Sequence, residues 1–375
     1  MLRLKNQPKK GKFMQKNKSE VTAGTRILIV RLSAIGDVLH ATSVAHNLKR
    51  IYPDCHLSWL VSPPADSLLK NNPDIDELLV WDRRIIDKAF QQRKFGTVLH
   101  CLKEAKSLLA AHEFDIALDI QGLFISGLLT RLSGAPRRIG IHERHEGNFL
   151  FMSEMAPDID DSHKIHRYMT ALYPLGIGPA DFRPGLVLPL TDSQHTWAKQ
   201  FWKAHGIETG NPKHPLLLVN TRTTWPDKNW PAKNFGIALR QLDQTIQIAF
   251  TGAPSDIPYI QEAQQALGRP ALSLAGKTTL TELAALFAEA DLLLTGDTGP
   301  LYIAEAVGLS TLSLWGPTHP DIYGPLTPGH HFILSPHGCT ACCKTKCRHK
   351  TNACMNAISP TVVANELTNL LKKNL

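Results

Sequence analysis

The sequence lacks any apolar run of 18 residues, so no membrane-spanning helix is expected. The first 20 residues are basic and contain no apolar segment of the kind a secretory signal needs, so we expect a cytoplasmic protein. Only Cys55 and Cys101 lie outside the short stretch from Cys339 to Cys354. A disulfide-stapled secreted domain is therefore excluded.

Two nucleotide-binding motifs are also missing. No Gly-x-Gly-x-x-Gly follows the first predicted strand, which argues against a dinucleotide-dependent dehydrogenase. Residues 276–278 (GKT) end like a P-loop, but the earlier glycine of that motif would fall at Ala271. A P-loop nucleotidase is therefore not expected.

Positive charge is concentrated at the two ends of the chain. The total is +8, of which residues 1–20 carry +6 and residues 339–375 carry +5, so the body between them is slightly acidic. No nucleic-acid partner is expected from such a body. Residues 1–22 are predicted to form a disordered basic tail, which is either simply solvated or attracted to an anionic membrane surface.

The remaining sequence alternates short β-branched runs with amphipathic stretches, which is typical of doubly wound parallel sheets. One such series precedes a segment rich in Gly and Pro near residue 180, and another begins near residue 215. We predict an α/β protein with two Rossmann-like domains that face each other across a cleft. The predicted segments are a tail (1–22), an N-terminal domain (23–180), a linker with the first helix of the second domain (181–214), a C-terminal domain (215–338), a Cys-rich segment (339–358) and a C-terminal helix (359–375).

Asp37 is the first candidate catalytic residue. It follows the first strand and the turn at Gly36, and falls in the first turn of a predicted helix at the carboxyl edge of the sheet. A carboxylate there is favoured by the helix dipole alone, which gives a purely structural explanation. The alternative is a general base presented to the cleft.

Two polar loops in the second series suit an anionic ligand. The first contains Thr223, Thr224 and Lys228, whose hydroxyl and ammonium donors match phosphate oxygens. The second, residues 296–300 (GDTGP), opens a helix whose free N–H groups can bind an anion, although Asp297 or Thr298 could equally be a plain helix cap. Together they indicate a diphosphate ligand.

Seven short segments in order resemble those of glycosyltransferase family 9, the ADP-heptose:lipopolysaccharide heptosyltransferases. The resemblance covers roughly residues 25–372. It rests on residues 33–40 (SAIGDVLH), 118–123 (LDIQGL), 138–140 (RIG), 227–231 (DKNWP), 274–277 (LAGK), 296–300 (GDTGP) and 314–318 (LWGPT).

The resemblance implies the GT-B architecture, with the acceptor on the N-terminal domain, the nucleotide sugar on the C-terminal domain, and a last helix that returns toward the N-terminal domain. It implies an inverting transfer that needs no metal for catalysis. Asp37 matches the catalytic base and Lys228 the cation that offsets charge on the departing ADP. The donor-binding set would be Thr223, Thr224, Lys228, Ala275, Gly276, Asp297, Thr298 and Gly299. Many members have His where this chain has Tyr302.

On the same resemblance, the expected donor is ADP-heptose and the expected acceptor is a phosphorylated glycolipid, the lipopolysaccharide inner core, reached by peripheral contact with the cytoplasmic face of the inner membrane. Four arginines near predicted strand ends are candidates for acceptor phosphates or are simply solvated: Arg83, Arg84, Arg137 and Arg138. The alternatives are another nucleotide sugar, a protein acceptor, or a non-catalytic sugar-nucleotide-binding protein.

The Cys-rich segment offers four thiols that could close a tetrahedral site: Cys339, Cys342, Cys347 and Cys354. Their spacing does not form a clean pair of Cys-x-x-Cys knuckles. A structural zinc or iron and free or paired thiols therefore remain alternative interpretations.

Overall fold

The computed structural model describes residues 21–142, 146–161, 163–339 and 341–373. The predicted basic tail comprises residues 1–22. Its first 20 residues lie outside the described part of the chain. The first half of the described chain contains β1 (Arg26–Val30), α1 (Ile35–Ile51), β2 (His56–Val61), β3 (Glu77–Val80), α2 (Arg83–Gln91), α3 (Phe95–Ala110), β4 (Ile116–Asp119), α4 (Phe124–Leu132), β5 (Arg137–Gly140), β6 (Glu154–Met155) and α5 (Lys164–Met169).

The second half repeats this alternation and ends in helices. It contains α6 (Asp192–Ala204), β7 (Leu216–Asn220), α7 (Ala232–Arg240), β8 (Gln247–Thr251), α8 (Ile257–Leu267), β9 (Leu272–Ser273), α9 (Leu280–Ala288), β10 (Leu292–Gly296), α10 (Gly299–Ala306), β11 (Thr311–Trp315), α11 (Pro320–Tyr323), β12 (His330–Leu334), α12 (Ala353–Asn356) and α13 (Pro360–Lys373).

Each half forms one parallel sheet, and the two sheets share one strand order. The first runs β3-β2-β1-β4-β5-β6, and the second runs β12-β11-β10-β7-β8-β9. When each series is numbered from its own first strand, both follow the order 3-2-1-4-5-6 of the Rossmann fold. The predicted pair of Rossmann-like domains is therefore confirmed. The order reverses between β1 and β4 and between β7 and β10, which is where such sheets bind ligands.

The strands of the first sheet are apolar because helices cover both faces. Ile27 and Ile29 pack with α1 and α5, whereas Leu28 and Val30 point to the opposite face with α3 and α4. This alternation is the period of two that a strand imposes. A sheet buried on both sides therefore appears in the sequence as a continuous apolar run.

The closing helix packs differently from the expectation that it would return to the N-terminal domain. It lies against α7, and its buried side chains belong to the core of the second sheet, as with Val363 and Leu367. The two halves contact each other where α10 packs on α1 and where α11 packs on α5. The linker also binds the first domain, because Asn47 of α1 donates from Nδ2 to the carbonyl of Arg183 at 2.9 Å.

Candidate active site

The principal cleft lies between the carboxyl edges of the two sheets. It encloses a cavity of about 890 Å³ whose walls come from both domains. Ile35, Pro64 and Arg84 line it on the first domain, and Thr223 and Thr298 on the second. This is the position at which doubly wound sheets bind ligands.

Asp37 is held at the start of α1 by three side-chain donors. Its Oδ2 lies 2.8 Å from Nη2 of Arg31, and its Oδ1 lies 3.2 Å from Nζ of Lys164. The hydroxyl of Tyr168 donates to the same Oδ1 at 3.0 Å. The side chain of Asp37 keeps 22% of its surface exposed, whereas Arg31 and Lys164 are nearly fully buried. The carboxylate is therefore the part of this cluster that a ligand can reach.

Two cations decide the charge of Asp37. Burial alone would raise its pKa, but the charges of Arg31 and Lys164 outweigh burial and hold the pKa well below its usual range. Asp37 is therefore ionised at neutral pH, as a proton acceptor must be. The same pairing makes it a weak base unless a ligand draws one cation away.

The loop after β4 supports this cluster. Gln121 accepts the backbone N–H of Leu32 at 2.6 Å, and Arg31 donates from Nη1 to the carbonyl of Ile120 at 2.9 Å. Asp119 is fully buried, and its Oδ1 accepts the backbone N–H groups of Gln121 and Gly122. The hydrogen bonds of residues 118–123 (LDIQGL) therefore hold Arg31 in position beside Asp37.

His40 and Tyr302 form the contact between the domains beside Asp37. A Cβ atom at Gly36 would lie 2.4 Å from Cδ2 of Tyr302, so only glycine lets that ring approach α1 so closely. The Tyr302 ring meets the ring of His40 edge-on at 4.3 Å between centroids. Burial lowers the pKa of His40 to about 3, so His40 is neutral. Neither of its ring nitrogens has a hydrogen-bond partner among the described residues.

On the second domain, three side chains donate hydrogen bonds to Asp297. Lys228 Nζ lies 2.5 Å from its Oδ2, and Thr318 donates to the same oxygen at 2.7 Å. Tyr302 donates its hydroxyl to Oδ1 at 2.6 Å. Tyr302 thus joins the two predicted functional carboxylates, since it bonds Asp297 and packs on Gly36 beside Asp37.

The predicted donor residues are brought to one side of the cleft, in different roles. Thr224, Gly276 and Thr298 line the cavity. Thr223 also lines it, but its hydroxyl is used internally and donates to the carbonyl of Trp225 at 2.8 Å. Gly276 has a φ of +70°, and a Cβ there would lie 2.9 Å from Cγ of Pro254, so this turn requires glycine.

Ala275 and Gly299 lie behind the cavity wall. Ala275 is buried in the core of the second domain. A Cβ at Gly299 would contact Cγ2 of Ile35 at 3.2 Å, so this glycine helps α10 approach the first domain. Thr298 precedes α10 as its cap residue, yet its side chain makes no capping hydrogen bond.

The four candidate acceptor arginines separate into two pairs. Arg84 is exposed on the cavity wall and pairs with Asp82 at 2.6 Å, and Arg83 pairs with Asp87. Arg137 bonds Glu154 and the carbonyl of Pro174. Arg138 donates to the carbonyls of Phe151 and Ala135. Arg137 and Arg138 thus hold together the end of the first sheet.

The Cys-rich segment lies against the loop that carries Lys228. Cys347 donates its backbone N–H to Asp227 at 2.5 Å, and Asn352 donates from Nδ2 to the carbonyl of Asn229. Four cysteines, Cys339, Cys342, Cys347 and Cys354, line one cavity of about 330 Å³. Among the described residues, however, no three His, Cys, Asp or Glu side chains are grouped so as to hold a metal ion. The thiols share a cavity without forming a ligand set, and the metal site stays a prediction.

Sequence reasoning missed the residues that hold Asp37. Arg31 offered a signal, since a charged residue directly follows the apolar run of β1. Lys164 and Tyr168 lie on α5, more than 120 residues away, and nothing in their local sequence points to Asp37. Only the packing of α5 beside α1 brings them to the carboxylate.

Comparison with known proteins agrees with this arrangement. The sequence profile of glycosyltransferase family 9 (heptosyltransferase) matches residues 102–353. The chain is 26% identical over 299 residues to the lipopolysaccharide core heptosyltransferase OpsX of Haemophilus influenzae, which covers 78% of this chain and 80% of that protein. Among the residues described, no helix is both long and apolar enough to cross a membrane.

Solved structures share the fold. A family 9 glycosyltransferase from Veillonella parvula superposes with a TM-score of 0.78 at 22% identity, covering 95% of this chain and 99% of that one. The Escherichia coli heptosyltransferase WaaC with ADP superposes with a TM-score of 0.69 at 21% identity, covering 94% and 100%. The GT-B architecture expected from the sequence is therefore confirmed.

Proposed function

The chain belongs to glycosyltransferase family 9, and from that premise we propose that it transfers a heptose from ADP-heptose to the inner core of lipopolysaccharide by an inverting mechanism. The observation that carries the proposal is the Tyr302 contact, which sets Asp37 of one domain beside the Lys228–Asp297 pair of the other. A carboxylate on one domain and a cation on the other, brought together at the domain contact, suit a single displacement.

In the proposed reaction, an acceptor hydroxyl attacks the anomeric carbon of the donor sugar. The new glycosidic bond forms as the bond from that carbon to the ADP oxygen breaks. Asp37 takes the proton of the attacking hydroxyl, because it is an ionised and partly exposed carboxylate beside the domain contact. An anionic group on the acceptor would compete for Lys164 and make Asp37 a stronger base at that moment.

On the donor side, Lys228 is the candidate for offsetting the charge that grows on the departing ADP. Its ammonium lies 4.2 Å from the centroid of the Trp225 ring as well as against Asp297, so its position is already fixed. Asp297 would share Lys228 with the diphosphate and contact sugar hydroxyls. Thr224, Gly276 and Thr298 would contact the nucleotide from the cavity wall.

The proposed acceptor is a phosphorylated glycolipid, and Arg84 is the candidate best placed to meet it, since it lines the cleft. We place the enzyme in the cytoplasm, in peripheral contact with the inner membrane. The transfer steps above use only protein side chains and no metal. A zinc or iron at the four tail thiols would be structural, and elemental analysis of the purified protein would detect it.

Ligand-induced stabilisation tests the donor assignment. ADP-heptose at 100 times its dissociation constant should add about 2.7 kcal/mol to the free energy of unfolding. The matched panel is ADP, UDP and GDP with their sugars, and Lys228→Ala should reduce the response to the ADP ligands. Stabilisation by UDP-sugars alone would reject ADP-heptose as the donor and favour another nucleotide sugar. Such a different donor is compatible with Tyr302 at the position where many family members have His.

A further inference from the structure

The first domain carries an unusual concentration of exposed apolar side chains. Among the described residues, eleven large apolar side chains are exposed, and eight of them lie between Val80 and Leu150. The most prominent group is Ile85, Phe90, Phe95, Leu99 and Phe124, with exposed fractions from 50% to 68%. We call these five residues the apolar surface. Clustered exposed residues of this kind mark sites of association.

Topology places the apolar surface on neighbouring elements. Ile85 and Phe90 lie on α2, Phe95 and Leu99 one turn apart on α3, and Phe124 at the start of α4. α2 packs on α3, and α3 packs on α4. The opposite faces of these helices are buried against the sheet, as with Ile86 and Val98. The five side chains therefore share the outer layer of one face of the domain.

The surface adjoins the cleft. α2 follows β3 and α4 follows β4, so both begin near the carboxyl edge of the parallel sheet. The C-terminal end of α3 leads into the amino end of β4. Since α3 is about 24 Å long, its first residue, Phe95, lies that distance away in the direction of the carboxyl edge. Arg84, which lines the cleft cavity, directly precedes Ile85.

Positive charge surrounds the apolar side chains. Residues 83–106 carry seven Lys or Arg and two acidic residues, a net of +5 within a body that is slightly acidic overall. Lys88, Arg93, Lys94, Lys103 and Lys106 are all exposed. Exposed aromatic and aliphatic side chains mixed with cations match the boundary of an anionic bilayer, where the apolar groups enter the lipid and the cations meet headgroups.

We propose that the α2–α3 face, with Phe124, docks on an anionic phospholipid bilayer. A second copy of the chain is disfavoured as the occupant, because two surfaces of the same charge would repel each other. Docking here would bring the mouth of the cleft to the lipid. This inference rests on the proposed function in one respect, since a lipid-linked acceptor explains why the cleft should open beside the membrane.

Vesicle co-sedimentation of the full chain tests the proposal without any sugar nucleotide. Wild type should bind vesicles containing phosphatidylglycerol and bind pure phosphatidylcholine weakly. The double variant F90S/F95S should lower the partition coefficient by roughly tenfold or more. The matched control F332S/V362S removes two side chains that are each 52% exposed in the second domain, and it should bind like wild type. R93E/K94E should lose binding to the anionic vesicles.

Three outcomes would overturn the proposal. The first is that wild type does not bind the anionic vesicles. The second is that F90S/F95S binds like wild type, as it would if residues 1–20 carried all the affinity. Light scattering could also show a wild-type dimer that F90S/F95S converts to a monomer, which would make the surface a subunit interface. Melting temperatures check that each variant is folded. Turnover with a water-soluble acceptor reports separately on the proposed function, and F90S/F95S should retain it.

Discussion

At the scale of single residues, Asp37 has two roles that the structure ties together. It is the proposed catalytic base, and it is the counter-charge of the nearly buried Arg31 and Lys164. We therefore expect a substitution at this position to affect stability as well as the proposed catalysis. From sequence alone, a change here would be expected to leave stability almost untouched, and the ion pairs show why it should not.

Asp37→Asn should lower turnover by at least ~10²-fold, because an amide cannot take the acceptor proton. It should also cost about 1–3 kcal/mol of unfolding free energy, since Arg31 and Lys164 keep only an uncharged amide oxygen as their acceptor. Because the folded pKa of Asp37 is lowered, this stability is present above its unfolded pKa and fades as the pH falls below about 4.

The measurements are turnover and urea denaturation at several pH values. Asp74→Asn is the matched control, since Asp74 pairs with His46 at 3.0 Å and does not contact Arg31 or Lys164. If turnover of Asp37→Asn stays near wild type while stability drops, Asp37 serves only to hold the helix start and its cations.

His40 gives the molecule a predictable acid sensitivity. Burial lowers its folded pKa to about 3, whereas an unfolded histidine titrates near 6.5. Between these values the unfolded chain binds the extra proton, so stability falls as the pH drops, by about 1.4 kcal/mol per pH unit from this group.

The unfolding free energy of His40→Asn should fall less steeply below pH 6.5 than that of wild type. The expected difference in slope is about 1.4 kcal/mol per pH unit. His100→Asn is the control, because His100 is 71% exposed. Denaturant unfolding at pH 7, 6 and 5 measures the slopes. Equal slopes for wild type and His40→Asn would mean that the buried ring is charged in the folded state.

At the scale of elements, the sequence predicts best where burial is complete. The runs of β1, β2, β7, β8, β10 and β11 are buried on both faces, and the sequence indicates each of them by a continuous apolar run. Apolar periodicity gives little indication of elements such as α2, β6 and β12. α2 is strongly charged, β6 has two residues, and β12 has exposed histidine and phenylalanine side chains. Periodicity is weak in segments like these.

The candidate site follows the same rule. Asp37, Lys228 and Asp297 follow strands in motifs that are contiguous in the sequence, so they could be named in advance. The contact of α1 with α10 could not, because it depends on how two separately folded sheets dock. Gly36 is an example, since nothing in the neighbouring sequence indicates that the Tyr302 ring packs against it.

Gly36→Ala should therefore weaken the packing of α1 on α10. The added methyl would overlap a ring atom of Tyr302, and overpacking of this kind typically costs about 1–3 kcal/mol. Turnover should fall too, because the same ring positions Asp297. A double-mutant cycle with Tyr302→Ala measures the coupling. If Gly36→Ala costs as much in the Tyr302→Ala background, the clash with this ring is not the cause.

At the scale of the whole molecule, the two sheets have the same strand order but differ in what they place at the cleft. The first presents a carboxylate held by buried cations, and the second presents glycine turns, hydroxyls and one lysine. This division of labour predicts that nucleotide binding is a property of the second domain alone. We expect nucleotide binding to leave the proposed base on the first domain unchanged until an acceptor binds.

Hydrogen exchange can separate the two domains. Saturating ADP should slow amide exchange in the turns after β7, β8, β9 and β10, where Thr224, Gly276 and Thr298 line the cavity. The loop from β3 into α2 should exchange as in the free protein, because Arg84 lies on the opposite wall. UDP at the same concentration is the control for nucleotide identity. Protection confined to the first domain would reverse the assignment of donor and acceptor sides, and with it the roles of Asp37 and Lys228.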